Sequence, residues 1–294
     1  MSSYHVPVLL SQVVDGLHIE RGKYYIDATF GGGGHSSEIV KRGGRVLGID
    51  ADQDAIVHAK QTYTNELAQG TLKITRGNFS LIDEIAKEQG IKTVAGILFD
   101  LGISSHQVDT SQRGFSFQHE GPLDMRMDQG LGVQASDLLN VLTKKELAEL
   151  FFSYGEESFG QKIAQAIVTR RAEKRFTTTG ELVETIESVV PKRFGQMHPA
   201  TKVFQALRIA VNDELRRIED ALPKAFSLLE NQGRLVVISF HSLEDRIVKH
   251  SFQEIERSKK ARIVTKNPIT PTMDEVERNP RSRSAKLRII ERIV

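Results

Sequence analysis

Apolar and polar residues alternate along the first hundred positions in a pattern typical of strands separated by helices. Short apolar runs end in turn residues, and the segments between them carry apolar residues at helical spacing. The four runs predicted to form strands cover residues 24–30, 45–50, 72–78 and 94–101. The last run is apolar at nearly every position, as expected of a parallel strand buried on both faces. The pattern therefore predicts a parallel α/β sheet.

Helices are predicted between these strands. The helical patterns cover residues 35–42 and 51–67, and a third helix is predicted to open at Ser80, which with Asp83 resembles a capping box.

The next convincing buried strand, residues 234–240, comes only after a long interval. The 132 residues from Gly102 to Gly233 are many times what one crossover helix requires. We therefore predict an α/β domain in two parts, residues 1–105 and 211–294, around an inserted helical subdomain at residues 106–210.

Helical patterns fill that interval. Two capping boxes, Thr143-x-x-Glu146 and Thr178-x-x-Glu181, open two of the predicted helices. Residues 159–174 form another candidate helix, and a long helical stretch over residues 199–229 is expected to bend or break at Pro223.

The last fifty residues complete the predicted sheet. A helix at residues 243–252 precedes two strands, residues 261–266 and 286–293, joined by a polar, proline-containing loop. Such a terminal antiparallel hairpin on a parallel sheet differs from the usual dinucleotide-binding arrangement.

Composition excludes several classes of protein. The chain has no cysteine, which removes disulfides, thiolate zinc sites, iron–sulfur clusters and a Cys nucleophile. The nine histidines show no metal-binding spacing, so no metal is expected. The longest apolar run, residues 94–99, is too short for a membrane span, and the first residues lack the basic region of a signal peptide. We expect a cytoplasmic protein with no membrane association.

Charge is unevenly distributed. The net charge is only +2, yet residues 246–294 hold 13 Lys and Arg against 6 Asp and Glu, a net of +7. A basic C-terminal region is consistent with a polyanion such as a nucleic acid, and equally with a solubilising surface.

A glycine run marks a candidate cofactor site. In Asp27-Ala28-Thr29-Phe30-Gly31-Gly32-Gly33-Gly34-His35-Ser36, the glycines stand at a strand-to-helix turn, where backbone N–H groups are available to a ligand. Ser36 occupies the place of the third glycine of the dinucleotide pattern G-x-G-x-x-G. Asp50 ends the next strand, where a carboxylate accepts hydrogen bonds from both hydroxyls of a ribose. These features fit NAD and S-adenosylmethionine about equally.

Three further residues shift that balance. Asp27 is placed to meet the ammonium group of a methionine-like cofactor. Phe79 follows the third strand and is either an adenine-stacking ring or a core residue. Asp100 ends the fourth strand, at the carboxyl edge where open α/β sheets bind ligands, and a functional role is favoured there.

From end to end, the chain resembles a known family: the bacterial ribosomal RNA methyltransferases that use S-adenosylmethionine to modify the exocyclic N4 of a decoding-centre cytidine in 16S rRNA. The resemblance implies a class I methyltransferase fold, Rossmann-like, with a mostly parallel seven-stranded sheet, a terminal antiparallel hairpin and an inserted helical subdomain. The strings that carry it are HVPVLL from His5, DATFGGGGHS from Asp27, DLGISS from Asp100, RGFSF from Arg113, GPLDMRMD from Gly121, HPATKVFQALRIAVNDEL from His198, SFHSLEDRIVK from Ser239 and NPRSRSAKLR from Asn279.

The resemblance also implies which residues bind the cofactor. They are Gly33, Gly34, His35, Asp50, Phe79, Asp100 and Gln107. The first three would hold the methionine part of S-adenosylmethionine, Asp50 the ribose and Phe79 the adenine region, while Asp100 and Gln107 would close the pocket. The partner is 16S rRNA, in a folded or nearly folded small ribosomal subunit.

The chemistry of an exocyclic amine suggests candidate substrate residues. Asp100 is the candidate acceptor for an amine hydrogen, or else serves the cofactor. The D/N/S-P-P-aromatic motif of many amino-group methyltransferases is absent from Asp100-Leu101-Gly102-Ile103. Base stacking is therefore assigned to Phe115 or Phe117, with Arg113 on a phosphate, although packing of this segment is the competing interpretation.

His241 and Ser242 follow the fifth strand, at the same edge of the sheet. They either line the base pocket, or Ser242 caps the next helix with Asp245 completing a capping box.

Three other functions compete with this one. An NAD-dependent oxidoreductase would use the same glycine turn. An amino-methyltransferase acting on another nucleic acid would share the chemistry. A non-enzymatic RNA-binding ribosome assembly factor would use the basic region but would not need carboxylates at the strand ends.

Overall fold

The computed structural model describes residues 6–190 and 198–294. His5, which opens the first motif of the resemblance, lies outside the described residues. Within those two ranges, no helix combines the length and apolar character needed to cross a membrane.

Seven strands form one sheet in the order β3-β2-β1-β4-β5-β7-β6. Strands β1 to β5 run parallel, and β7 is antiparallel to both β5 and β6. The mostly parallel sheet with terminal antiparallel strands is confirmed. The strands are β1 (Tyr24–Asp27), β2 (Arg45–Asp50), β3 (Leu72–Arg76), β4 (Val94–Asp100), β5 (Leu229–Ser239), β6 (Ala261–Ile263) and β7 (Lys286–Arg292).

Helices cover the sheet and make up the insertion. Short 3-10 helices also occur at Phe79–Leu81, Ser111–Arg113 and Pro280–Ser282. In chain order, the α-helices are α1 (Leu10–Leu17), α2 (Gly34–Lys41), α3 (Gln53–Thr62), α4 (Thr64–Ala68), α5 (Ile82–Glu88), α6 (Ser105–Asp109), α7 (Ala135–Val141), α8 (Lys144–Gly155), α9 (Gly160–Glu173), α10 (Thr179–Val189), α11 (Ala200–Asn212), α12 (Glu214–Leu228), α13 (Ser242–Arg257) and α14 (Met273–Arg278).

The apolar strands are explained by burial on both faces of the sheet. One face carries a core with Ile26, Ile97 and Val237. The other carries a core with Tyr25, Leu98 and Val236, covered in part by α1. Successive residues of a strand point to opposite faces, so a strand in the middle of such a sheet needs an unbroken apolar run.

The chain divides into two compact units. The sheet unit comprises Met1–Ser104 and Leu215–Val294, and the helical unit comprises Ser105–Glu214. In the helical unit, α8 packs against α9 and α11, and α9 packs against α10. The expected capping boxes of Thr143 with Glu146 and of Thr178 with Glu181 are both present.

Several predicted helix boundaries were wrong. The long helical stretch breaks at Asp213, which adopts a left-handed conformation with φ 50°, and not at Pro223, which lies inside α12. A short polar side chain tolerates that conformation better than most residues. The helix predicted at 51–67 is divided at Tyr63 into α3 and α4.

Two further details differ from the expectations. Ser80 caps no helix: Asn78 Oδ1 accepts a hydrogen bond from the backbone N–H of Ser80 at 3.0 Å, and α5 begins at Ile82. The polar loop between β6 and β7 contains the helix α14.

Candidate functional site

Strands β1 and β4 lie side by side, but the chain continues from β1 to β2 on one side and from β4 to β5 on the other. The strand order therefore reverses between β1 and β4. Open α/β sheets bind ligands at the carboxyl ends of strands at such a switch point. Asp27 ends β1, Asp50 ends β2 and Asp100 ends β4. The fold therefore brings three carboxylates and the glycine turn to one edge of the sheet unit.

The glycine turn joins β1 to α2. Gly31 and Gly33 have φ values of 52° and 74°, a conformation that favours glycine. A Cβ added at Gly33 would collide with the Phe30 ring and would lie 2.7 Å from the Tyr63 ring, so there is no room for a side chain at this position. At Gly31 the only atom near a Cβ would be the Thr29 carbonyl oxygen at 3.9 Å. The turn is thus tightly supported at Gly33 and open at Gly31.

Asp27 is buried at the base of this turn, with 1% of its surface exposed. The Ser36 hydroxyl donates a hydrogen bond to Asp27 Oδ2 at 2.7 Å, and the Thr29 N–H donates to Oδ1 at 3.3 Å. Burial raises the pKa of Asp27, although the nearby His35 and the hydrogen bond from Ser36 oppose that rise.

His35 connects the turn to Asp100. Its Nε2 lies 3.0 Å from the Val8 carbonyl oxygen, and because a carbonyl only accepts hydrogen bonds, this nitrogen carries a proton. Its Nδ1 lies 3.7 Å from Asp100 Oδ2. The backbone N–H of Asp100 donates to the Thr29 hydroxyl at 2.6 Å. His35 is therefore held between the segment preceding α1 and the end of β4.

Asp50 ties the glycine turn to β2. Its Oδ2 accepts a hydrogen bond from the Gly31 N–H at 2.7 Å, and its Oδ1 accepts one from the Asp52 N–H at 2.8 Å. Burial raises the pKa of Asp50 to about 6, although these two amides oppose the rise. The contact of this carboxylate with a ribose stays a prediction.

Phe79 packs as a core residue on at least one side. Its ring contacts the Phe99 ring edge-on, with centroids 5.6 Å apart, and packs against the core of the sheet unit. The side chain is only partly buried. Its contact with adenine stays a prediction.

The side chains at this edge suit a ligand with positive charge. S-adenosylmethionine carries positive charge on a sulfonium and on an ammonium group, and its ribose carries hydroxyls. Carboxylates such as those of Asp27, Asp50 and Asp100 attract the positive charges and accept hydrogen bonds from the hydroxyls. The pyrophosphate of NAD would bring negative charge towards the same carboxylates, which is unfavourable. The residues present therefore fit S-adenosylmethionine better than NAD.

Four other residues with predicted roles lie in the helical unit. Gln107 is buried in α6. Phe115 is also buried, with the Arg113 guanidinium 5.9 Å from its ring centroid. Phe117 stacks on His198 with centroids 4.7 Å apart and meets Phe204 edge-on. The cofactor role of Gln107 and the base contact of Phe115 stay predictions.

Arg113 holds a loop of the helical unit. Its guanidinium is 3% exposed and donates to the carbonyl oxygens of Arg126 and Met127, each at 3.0 Å. The buried Asn212 amide donates to the Met125 carbonyl oxygen and accepts from the Met127 N–H, both at 2.8 Å. Together they fix Met125 at a φ of 62°. The predicted phosphate contact of Arg113 stays a prediction.

His241, and not Ser242, caps helix α13. The His241 Nδ1 accepts a hydrogen bond from the Glu244 N–H at 3.4 Å, and Glu244 Oε2 accepts from the His241 N–H at 3.3 Å. The capping box predicted for Ser242 and Asp245 was therefore wrong. Asp245 instead pairs with Arg288, with Nε and Oδ1 2.6 Å apart. A role for His241 and the exposed Ser242 in a base pocket stays a prediction.

Sequence reasoning missed three residues that support the turn. Thr29 and Ser36 flank the glycine run, and their hydroxyls bind the backbone of Asp100 and the carboxylate of Asp27. Tyr63 donates its hydroxyl to the Gly32 carbonyl oxygen at 2.8 Å. The first two were visible as hydroxyl residues beside the motif, whereas Tyr63 is brought there only by the packing of α3.

A Rossmann-like sheet with a glycine turn and carboxylates at its switch point defines the class of S-adenosylmethionine-dependent methyltransferases. Comparison with known proteins then specifies the family. The chain belongs to the MraW methylase family, whose sequence profile matches residues 2–293.

Two curated relatives match almost the full length. The ribosomal RNA small subunit methyltransferase H of Carboxydothermus hydrogenoformans is 44% identical over 310 residues, covering 100% of this chain and 99% of that protein. The protein of the same name from Persephonella marina is 47% identical over 293 residues, covering 98% and 99%. Among solved structures, a putative rRNA-methylase from Clostridium thermocellum aligns over 98% of both chains at 13% identity, with a TM-score of 0.49.

Proposed function

We propose that this methylase transfers a methyl group from S-adenosylmethionine to the exocyclic N4 of the decoding-centre (P-site) cytidine of 16S rRNA in the small ribosomal subunit. The full-length similarity to proteins named ribosomal RNA small subunit methyltransferase H supports the rRNA substrate. The observation that supports a binding site for the methyl donor is the group of three carboxylates beside the glycine turn at the β1–β4 switch point.

Residues of the sheet unit would hold the cofactor. Gly33, Gly34 and His35 would bind the methionine part, since they form the turn beside the buried Asp27. Asp50 would accept the ribose hydroxyls, and Phe79 would contact the adenine. When bound, S-adenosylmethionine supplies an electrophilic methyl group on a sulfonium.

Asp100 is our candidate for handling the proton of the amine. The lone pair of a cytosine N4 is delocalised into the ring, so the enzyme must orient the amine and accept its hydrogen. As the nitrogen–carbon bond forms and the sulfur–carbon bond breaks, N4 loses one proton. The Asp100 carboxylate, with His35 Nδ1 3.7 Å away, is the acceptor that we assign to it.

Residues beside Asp100 would contact the base. β5 lies next to β4, with Ile238 paired to Asp100, and His241 and Ser242 follow that strand. They are our candidates for the base pocket, and the helical unit is our candidate for recognising the surrounding rRNA.

The decisive experiment measures transfer of labelled methyl from S-adenosylmethionine to small ribosomal subunits from cells lacking this protein. Digestion of the rRNA and mass spectrometry of the nucleosides should find the label in N4-methylcytidine. The Asp100→Asn variant should lose transfer by more than tenfold, with the affinity for S-adenosylmethionine measured separately by calorimetry.

Other outcomes would contradict specific parts of the proposal. Label in another nucleoside would refute the assigned base, and transfer to duplex DNA in preference to subunits would refute the rRNA substrate. Failure to transfer to any RNA would favour an assembly factor. Calorimetric binding of NAD in place of S-adenosylmethionine would refute the cofactor.

A further inference from the structure

Two phenylalanines are exposed where α8 meets α9 in the helical unit. Phe152, on α8, is 71% exposed, and Phe159, just before α9, is 38% exposed. The neighbouring Phe151 is fully buried, because successive residues of a helix point about 100° apart. The core of the unit therefore uses Phe151 and leaves Phe152 in solvent.

Phe152 lies on the wall of a groove of about 540 Å³. This α8–α9 groove is lined by Lys144, Lys145, Glu149, Phe152, Gly160 and Gln161, among others. Its volume lies within the range of about 300–1,000 Å³ that is typical of small-ligand pockets. The groove is large enough for one nucleotide and shares no residue with the methyl-donor site.

Exposed positive charge surrounds these rings. Lys144 and Lys145 line the groove, and Lys162 Nζ lies 5.7 Å from the centroid of the Phe159 ring. Glu149 is the exposed acidic residue of the lining, whereas Glu157 is buried and its carboxylate accepts a hydrogen bond from the Phe159 N–H at 2.8 Å. Of the exposed charged side chains that line the groove, two are lysines and one is a carboxylate.

Exposed aromatic rings interleaved with lysines are the features by which proteins bind single-stranded nucleic acid. A base stacks on the ring, which accepts any base because every base has a π-face, and the lysines bind the backbone phosphates. A protein partner would use the same apolar surface, but it would not require an aromatic ring or an excess of positive charge.

We propose that the α8–α9 groove binds a single-stranded segment of RNA, with an unpaired base stacked on Phe152 and phosphates bound by Lys144 and Lys145. This inference rests on the proposed function in one respect, that the substrate is RNA. It assigns to the helical unit an RNA contact of its own, in addition to the methyl-donor site of the sheet unit.

Substitutions of Phe152 test the stacking contact. The probe is a fluorescently labelled single-stranded oligonucleotide with the decoding-centre sequence, and the measurement is its affinity by anisotropy. Phe152→Ala and Phe152→Leu should each weaken binding by about 5- to 150-fold, whereas Phe152→Trp should bind at least as well as the unmodified protein. Met273→Ala, which removes another highly exposed apolar side chain, is the matched control and should bind normally.

The leucine variant separates base stacking from a general apolar contact. If Phe152→Leu retains affinity while Phe152→Ala loses it, the ring acts as an apolar contact and base stacking is refuted. Equal affinity of all variants would refute the groove as an RNA site. Thermal unfolding of each variant serves as the folding control, and because Phe152 is exposed, its substitutions should leave the melting temperature unchanged.

Charge substitutions provide an independent test. Replacing Lys144 and Lys145 by Gln should reduce the slope of log affinity against log salt by about 1.4, since each phosphate neutralised in a single strand contributes about 0.7. The pair Lys60→Gln and Lys92→Gln in the sheet unit is the control and should leave the slope unchanged. Glu149→Gln should strengthen binding, and a weaker affinity in that variant would refute the proposed contact.

Steady-state kinetics separate this proposal from the proposed function. With small subunits as substrate, Phe152→Ala should raise KM and leave kcat unchanged. If the unmodified protein methylates rRNA and Phe152→Ala changes neither KM nor affinity for the oligonucleotide, the groove proposal is refuted and the proposed function stands. If no rRNA is methylated but the aromatic variants still differ in binding, the proposed function is refuted and the groove proposal stands.

Discussion

Three aspartates at one edge of the sheet have different surroundings. Asp27 is buried and bound by a hydroxyl, Asp50 accepts two backbone amides, and Asp100 lies beside an imidazole. Burial raises the pKa of Asp50 to about 6. Residues of one type thus differ in their burial and in their hydrogen-bond partners.

Binding of S-adenosylmethionine should weaken as pH falls through about 6. The Asp50 carboxylate, whose pKa is about 6, then takes up a proton and loses acceptor capacity for the ribose hydroxyls. Asp50→Asn should lower the affinity by about 10- to 150-fold at neutral pH, as expected for lost hydrogen bonds to a charged group, and remove this pH dependence. Calorimetry at pH values on both sides of 6 makes the measurement.

The exposed Asp15→Asn is the control and should retain both the affinity for S-adenosylmethionine and its pH dependence.

The Asp50 carboxylate also affects the stability of the protein. Because folding raises the pKa of Asp50 from 3.8 to about 6, its contribution to the free energy of unfolding is present below pH 3.8 and is lost as pH rises through 6. An unchanged pH dependence of affinity in Asp50→Asn would contradict the assignment.

Gly33→Ala should destabilise the protein more than Gly70→Ala. Both glycines have positive φ, 74° and 68°, so both alanines carry a strain of about 1–2 kcal/mol. Only at Gly33 would the new Cβ collide with Phe30 and Tyr63, whereas nothing lies within 4 Å at Gly70. The collision should add about 1–3 kcal/mol. Denaturant unfolding measures the difference, and equal losses would mean that the Tyr63 side is not rigid.

At the scale of elements, helix starts follow from short sequence patterns. Thr143 and Thr178 cap α8 and α10 as expected, because a capping box involves residues only three positions apart. Helix ends and breaks were harder to predict. The helix breaks at Asp213, and α12 continues through Pro223.

Thr178→Ala should cost about 1 kcal/mol of stability, because it removes the cap of α10. The pKa of Glu181, the other member of this capping box, reflects the same contact. Burial alone would raise its pKa, but hydrogen bonds from Lys174, Thr177 and Thr178 lower it to about 2. Its contribution to stability is therefore present above the ordinary pKa of 4.5 and is lost as pH falls towards 2.

Denaturant unfolding over a range of acidic pH makes this measurement. In Glu181→Gln, the part of the acid destabilisation that arises from this contact should disappear. Thr169→Ala, on the surface of α9, is the control and should be neutral or slightly stabilising, because alanine is the better helix former. A loss in Thr169→Ala as large as that in Thr178→Ala would contradict the capping role.

At the scale of the whole molecule, the sheet unit is assembled from two distant stretches of chain. β4 precedes the helical unit and β5 follows it, yet they pair side by side. Part of the basic C-terminal region also serves this unit internally. Arg288 and Lys286 pair with Asp245, and Arg262 and the β5 residue Arg234 pair with Glu291. The charge of this region is therefore only partly available to a polyanion.

A chain that ends after Ser284 should lose the fold of the sheet unit. β7 lies between β5 and β6, and its residues Leu287, Ile289 and Ile290 are buried. Circular dichroism and limited proteolysis should show a protease-sensitive sheet unit with no cooperative melting. Deletion of Val294 alone, which is largely exposed, should leave melting unchanged. Cooperative melting of the longer truncation would show that β7 is dispensable.

Much of the fold and of the methyl-donor site was predictable, for a local reason. Asp50 and Asp100 stand at the ends of apolar runs, and the carboxyl ends of parallel strands meet at one edge of the sheet. By contrast, Tyr63 supports the turn from a position that no motif marks. The phosphate contact of Arg113 and the base contact of Phe115 stay predictions.

The sequence by itself determined the strands, two of the capped helix starts, the glycine turn and the carboxylates at the strand ends. Each depends on residues that are neighbours along the chain, and on the periodicity that burial imposes on a strand or a helix. Only the tertiary structure decided that Arg113 and Asn212 hold a loop and that Phe152 is exposed beside lysines. These features depend on which distant side chains meet, because a hydrogen bond or a buried contact is made with whatever packing brings within reach.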